Sequence, residues 1–144
     1  MRLCLQEEQI MNQINENISA GVVMIVDDNV NREILSDFLL AKHFNVFLFT
    51  TADEYLVRVG LDCPDVILMD IKLPGMDGLE AIRRLRTMPN PTIAAIPVIA
   101  VTALAMPGDR ERCLDAGANK YIEKPVILRN LMLLIEGCIK QEVC

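Results

Sequence analysis

The stretch Val22-Val23-Met24-Ile25-Val26-Asp27-Asp28 decides the fold: five apolar residues without alternation, stopped abruptly by two carboxylates. Such a short, β-branched run reads as a strand covered on both faces, the habit of parallel sheets. Working outward, residues 46–49, 66–69 and 98–101 repeat the theme, and a shorter pair, Tyr121-Ile122, precedes Lys124-Pro125. Between these runs the apolar period becomes helical. Ile34, Leu35, Phe38 and Leu39 follow a candidate cap at Asn31. Thr51-Ala52-Asp53-Glu54 has the form of a capping box and predicts a helix through Val59, stopped by Gly60. Leu79, Ile82 and Leu85 mark a third helix, with Arg83, Arg84 and Arg86 on its outer side. Residues 109–116 give a fourth, closed by Gly117, and Ile127, Leu131, Leu134, Ile135 and Cys138 line the inner face of a fifth. Five strands alternating with five helices predict an α/β, doubly wound, five-stranded parallel sheet with right-handed crossovers. A TIM barrel would need about 250 residues.

Composition agrees with one domain of this kind. The chain has 144 residues, enough to bury a core without a disulfide or metal staple. Apolar residues make up 52%, yet only four Phe, two Tyr and no Trp are among them, so the core must be aliphatic. A net charge of −6 gives no sequence-wide attraction to nucleic acid, and direct DNA binding is not expected. No run of about 18 apolar residues offers a membrane span, and the N-terminus lacks the apolar stretch of a signal peptide. Cys4, Cys63, Cys113, Cys138 and Cys144 are scattered, without a CxxC pair or a His at ligand spacing. They read as free thiols of a cytoplasmic protein, Cys113 and Cys138 as small core fillers.

In a doubly wound sheet, functional groups gather beyond the carboxyl ends of the strands. Four of the five strand ends carry a reactive or cation-binding residue: Asp27 and Asp28, Asp70, Thr102, and Lys124. Taken singly, each has a plain explanation, since a carboxylate or hydroxyl after a strand often caps the next helix. Together they point to one pocket. Clustered carboxylates repel at neutral pH unless their pKa values rise or a cation joins them, and an oxygen-only site open to water suits Mg²⁺. A carboxylate can attack phosphorus, with Lys124 and Thr102 suited to offset charge on the transferred oxygens.

Four segments carry a resemblance. Val26-Asp27-Asp28-Asn29, residues 68–78 (Leu-Met-Asp-Ile-Lys-Leu-Pro-Gly-Met-Asp-Gly), Val101-Thr102-Ala103 and Lys124-Pro125 look like the receiver domains of two-component response regulators, in order and spacing from residue 21 to about 140. The resemblance implies the flavodoxin-like (βα)5 fold with strand order 2-1-3-4-5. It implies Asp70 as phosphoacceptor, and Asp27, Asp28, Asp70 and the backbone carbonyl of Lys72 as the protein's share of a Mg²⁺ shell. Thr102, Ala103 and Lys124 would bind phosphoryl oxygens, and the small Ala103 would leave the pocket open to solvent. Thr102 and Tyr121 would form the switch, and the bond before Pro125 would be cis. The phosphodonor would be a histidine kinase or a histidine phosphotransfer protein. The readout would be a changed surface on the fourth helix, fifth strand and fifth helix, presented to a downstream output protein. Such a protein is a phosphoacceptor switch and not an ordinary enzyme.

Residues 1–20 read as an N-terminal extension to a receiver domain at 21–141. Ile10, Met11, Ile14 and Ile18 recur at helical spacing and suit docking on the domain, a homodimer, or a frayed tail. Output is expected from a partner, or the chain is a receiver from a hybrid sensor kinase, whose segments resemble residues 107–113. A haloacid-dehalogenase-type phosphatase is disfavoured, because Lys72 stands where its second Asp belongs and its nucleophile follows the first strand. A receiver-like binding module that is never phosphorylated is the remaining alternative.

Overall fold

The computed structural model describes residues 19–28, 32–103 and 106–143, the last four by their backbone alone. The expected cap at Asn31, Asn29 of the first motif, the apolar stripe of residues 10–18, Cys4 and Cys144 lie outside the described residues. Five strands, β1 (Gly21–Val26), β2 (Phe44–Phe49), β3 (Val66–Asp70), β4 (Val98–Thr102) and β5 (Lys120–Glu123), form one parallel sheet in the order β2-β1-β3-β4-β5. Helices α1 (Arg32–Ala41), α2 (Ala52–Asp62), α3 (Gly78–Arg86), α4 (Asp109–Ala116) and α5 (Leu128–Val143) connect and cover them. A single helical turn, Pro91–Ala94, follows α3.

Because strand side chains alternate, each central strand feeds two cores. Met24, Val26, Ile67, Met69, Val98 and Ala100 meet α2, α3 and α4 on one face. Val23, Ile25, Val66, Leu68, Ile99 and Val101 meet α1 and α5 on the other. The continuous apolar runs of β3 and β4 are buried throughout, as expected. The outer strands depart from that expectation. β2 and β5 are only partly covered, with Leu48 exposed, because an edge strand has a neighbour on one side and less helix above it.

Three local expectations need correction. The second helix continues past Gly60 to Asp62 and ends on Cys63, a left-handed residue at φ 46° whose N–H donates to the Val59 carbonyl. Gly60 is an ordinary helical position facing open space. Thr51 does cap this helix, accepting from the Glu54 N–H, while the Glu54 carboxylate takes the Thr50 hydroxyl. Ile34 and Ile127 face outward, at 59% and 58% exposure, and Ile127 precedes α5.

Arg86 is not on the outer side of α3. Its guanidinium turns under the sheet and donates to the carbonyls of Gly117, Ala94 and Ile96 and to Asn119 Oδ1, at 2.7–2.9 Å. Asn119 Oδ1 also accepts the Val98 N–H at the start of β4. Tyr55 of α2 is fully buried beneath α3, its hydroxyl 3.4 Å from the Ala81 carbonyl, and burial holds its phenol far above the usual range.

Candidate functional site

Register brings the strand ends level. Val26 pairs with Met69, so Asp27 and Asp70 stand on the next rung of adjacent strands. Asp70 pairs with Val101, and Thr102 with Glu123, which puts Thr102 and Lys124 one step further along the same edge. Backbone bonds extend the ladder into the site. Asp27 N–H donates to Phe49 O, Ile71 N–H to Val101 O, and Lys124 N–H to Thr102 O at 2.7 Å. These residues are therefore placed by the sheet rather than by mobile loops, which is how a site gains positional accuracy.

Asp27, Asp70 and Thr102 are buried, at 3%, 5% and 4% exposure, whereas Asp28 faces solvent. Oxygens of Asp27, Asp28 and Asp70 all lie within 4.8 Å of one another. The Lys124 ammonium reaches between two of them, 3.3 Å from Asp27 Oδ2 and 3.5 Å from Asp70 Oδ2. The Lys72 N–H donates to Asp70 Oδ1 at 3.1 Å and fixes the carboxylate plane, while the Lys72 side chain is exposed. Burial, then the charge of Asp27, pushes the Asp70 carboxyl up to about 6, against the pull of Lys124 and of the Lys72 amide. An all-oxygen cluster with one ammonium for three carboxylates, open on the Asp28 side, fits a hard divalent cation.

The loop after Asp70 is held by a residue whose importance spacing alone did not reveal. Gly78 donates its N–H to Ile71 O at 2.9 Å. A Cβ there would lie 2.3 Å from Asp70 O and 2.7 Å from Ile71 Cα, so only glycine lets α3 start against the end of β3. Asp77 caps α3 by accepting the Glu80 N–H at 2.8 Å. The Asp77-Gly78 pair was the available signal.

Beside Thr102 a cavity of about 440 Å³ opens between the β3–α3 loop and α4, lined by Leu73, Leu79, Met106 and Cys113 among others. Ala103 is exposed. Tyr121 is half-buried on β5 and lines a separate depression with Lys124, Pro125, Ile127, Leu133 and Leu134. The Lys124–Pro125 bond is cis. Cys113 and Cys138 are buried, and burial raises the Cys113 thiol, in keeping with filler rather than reactive thiol. Thus Asp27, Asp28, Asp70 and Lys124 meet in one cluster, Thr102 ends the neighbouring strand on the same edge of the sheet, and Tyr121 lines a depression that shares Lys124.

Comparison with known proteins points the same way. The profile described as response regulator receiver domain matches residues 22–136. The polar-differentiation response regulator DivK of Brucella ovis is 41% identical over 105 residues, covering 72% of this chain and 84% of that protein. The response regulator PleD of Caulobacter vibrioides is 35% identical over 109 residues, 76% of this chain but 24% of that protein, so the chain spans about a quarter of PleD's length. Among solved structures, the receiver domain of the sensor histidine kinase PA1611 of Pseudomonas aeruginosa, with a magnesium ion coordinated in its active-site cleft, superposes with a TM-score of 0.77. It is 33% identical and covers 85% of this chain and 99% of that one. The signal receiver domain of a histidine kinase from Syntrophus aciditrophicus gives a TM-score of 0.76 at 30% identity, covering 85% of this chain and 92% of that one.

Proposed function

Because the chain belongs to the response regulator receiver family, and is a signalling switch in that sense, we propose that its switching event is transfer of a phosphoryl group onto Asp70. The observation that carries this reading is the buried Asp70 carboxylate held between two further carboxylates and the Lys124 ammonium. Asp27, Asp28, Asp70 and the backbone carbonyl of Lys72 would hold Mg²⁺, which supplies charge neutralisation for an anionic donor when bound. PA1611's receiver, with magnesium in its cleft, supports that assignment.

In the transfer, an Asp70 oxygen attacks the phosphorus of a phosphohistidine. The new P–O bond forms as the P–N bond breaks, and the electron pair of that bond returns to the imidazole ring. Lys124, the Thr102 hydroxyl and the Ala103 amide receive the phosphoryl oxygens. The product replaces the single charge of the Asp70 carboxylate with a phosphoryl group carrying roughly −1.5 to −2, a net gain of up to about one negative charge and three acceptor oxygens beside Lys124. Thr102 moves toward the phosphoryl group and Tyr121 turns inward behind it, altering the surface of α4, β5 and α5. A complete off-to-on shift needs about 5.5 kcal/mol of differential stabilisation, so binding of the output partner completes what one or two charge-assisted hydrogen bonds begin. We assign the switch to residues 21–141, in the cytoplasm, with a histidine kinase or phosphotransfer protein as donor. The chain assists its own phosphorylation and dephosphorylation without turning over a separate substrate. Likeness to two histidine-kinase receivers favours a second setting for the same chemistry, a receiver within a hybrid sensor kinase.

The test is intact mass after incubation with acetyl phosphate and with a phosphorylated histidine donor, with and without Mg²⁺, alongside Asp70→Asn. A Mg²⁺-dependent gain of one phosphoryl group, absent in the variant, is expected. No gain from either donor, in protein that binds Mg²⁺, would make the chain an unphosphorylated binding module.

A further inference from the structure

Beside the carboxylate cluster stands a cation that the phosphoryl chemistry does not use. Arg32, the first residue of α1, is half-buried, and its Nη1 donates to the Asp27 carbonyl at 3.2 Å. Among the described residues it forms no ion pair, although Asp27 belongs to a group of three carboxylates. Its partner is backbone instead.

The strand pattern explains why that carbonyl takes a side-chain donor. The N–H and C=O of one strand residue point to the same side. The Asp27 N–H donates to Phe49 O of β2, so the Asp27 carbonyl also turns toward β2. That strand ends at Phe49, and no backbone N–H of the described residues reaches the carbonyl. An acceptor left unpaired in a buried residue is costly, and the guanidinium supplies the bond.

This carbonyl belongs to the peptide that joins Asp27 to Asp28. Successive residues of an extended strand send their side chains to opposite faces. Here one is buried and the other exposed, yet their carboxylate oxygens come within 4.8 Å of each other and of Asp70. Their convergence therefore depends on how the Asp27–Asp28 peptide is turned. Phe49 holds the backbone before the Asp27 Cα, and Arg32 holds it after.

We propose that Arg32 is a positioning residue for the metal: its bond to the Asp27 carbonyl clamps the Asp27–Asp28 peptide and so sets the spacing of the two carboxylates. Mg²⁺ is small and demands near-ideal ligand geometry, so a displaced carboxylate is felt in affinity. The inference rests on the Mg²⁺ assignment under Proposed function. Charge alone predicts the opposite sign. A guanidinium near a divalent cation repels it, so removing that charge tightens binding if Arg32 does nothing else. Removing a clamp loosens it.

Calorimetric titration of the full chain with Mg²⁺ separates the two, comparing the wild type with Arg32→Met and Arg32→Lys, each checked for fold by circular dichroism. The Mg²⁺ dissociation constant should rise about tenfold in Arg32→Met. It should rise less in Arg32→Lys, whose side chain is one atom shorter but still ends in a donor. A rise below about threefold in the folded methionine variant, or tighter binding, would overturn the proposal. So would a lysine variant that loses as much as the methionine one. If Arg32→Met does not fold, Arg32→Gln, neutral and two atoms shorter than arginine, takes its place under the same threshold. A wild type that binds no Mg²⁺ would instead remove the metal assignment itself, and this role with it.

Discussion

At the scale of single residues, the site is governed by Asp70, a carboxylate that the fold keeps half unwilling to ionise. Its pKa is raised to about 6, so between about pH 4 and 6 the folded protein holds a proton that the unfolded chain has released. Stability therefore falls as pH rises through that window. Asp70→Asn, which carries no charge to bury, should exceed the wild type by about 1–3 kcal/mol at pH 7 in metal-free buffer. The gap should close at pH 4 and shrink on adding Mg²⁺, as urea midpoints would show; a gap indifferent to pH would refute this account of the carboxyl. The residue types at the strand ends were legible in the sequence because each chemistry admits few side chains. What could not be read was the role of a residue defined by space alone. Gly78 matters for the atom it lacks, and no periodicity records the distance to the Asp70 carbonyl.

At the scale of elements, Gly117 closes α4 as expected, whereas the second helix shows a start that was legible and a stop that was not. A cap such as Thr51 announces itself through a hydroxyl three residues before a carboxylate. A stop is set by where the backbone turns left-handed, and here Cys63 takes that role although glycine stands three residues earlier. Gly60 thus sits in a helix with open space at its Cβ, and Gly60→Ala should stabilise by about 0.5–1 kcal/mol in chemical denaturation. Gly78→Ala should do the reverse. Its Cβ meets backbone rather than a yielding side chain, so a loss of about 1–3 kcal/mol is expected. Phosphoryl acceptance, read by intact mass, should fall with it, since the displaced loop carries Lys72. Thr51→Ala should cost about 1 kcal/mol with acceptance unchanged. The edge strands were misjudged for a related reason: a run of apolar residues states that a strand is wanted, not how many neighbours will cover it.

At the scale of the whole molecule, topology followed from alternation and the resemblance, but the clasp that closes the sheet's far end did not. Arg86 gathers α3, the Pro91–Ala94 turn, the approach to β4 and the α4–β5 turn through four hydrogen bonds. On a helical wheel it is one more arginine beside Arg83 and Arg84, and only the three-dimensional meeting of four chain segments distinguishes it. Arg86→Lys should be nearly as damaging as Arg86→Met, each lowering stability by about 2–4 kcal/mol in thermal or urea melts, because an ammonium does not reproduce the guanidinium fork. The two tyrosines close the account. With no Trp in the chain, near-ultraviolet absorption and emission come chiefly from Tyr55, sealed under α3, and Tyr121, at the rim of β5. Alkaline titration of the folded protein should thus red-shift the absorption of Tyr121, which its surroundings also raise, before that of Tyr55, which burial raises further. Tyr121 is therefore the more accessible of two native dyes, on the strand that leads into Lys124, and a change at β5 can be followed in it without attaching a label.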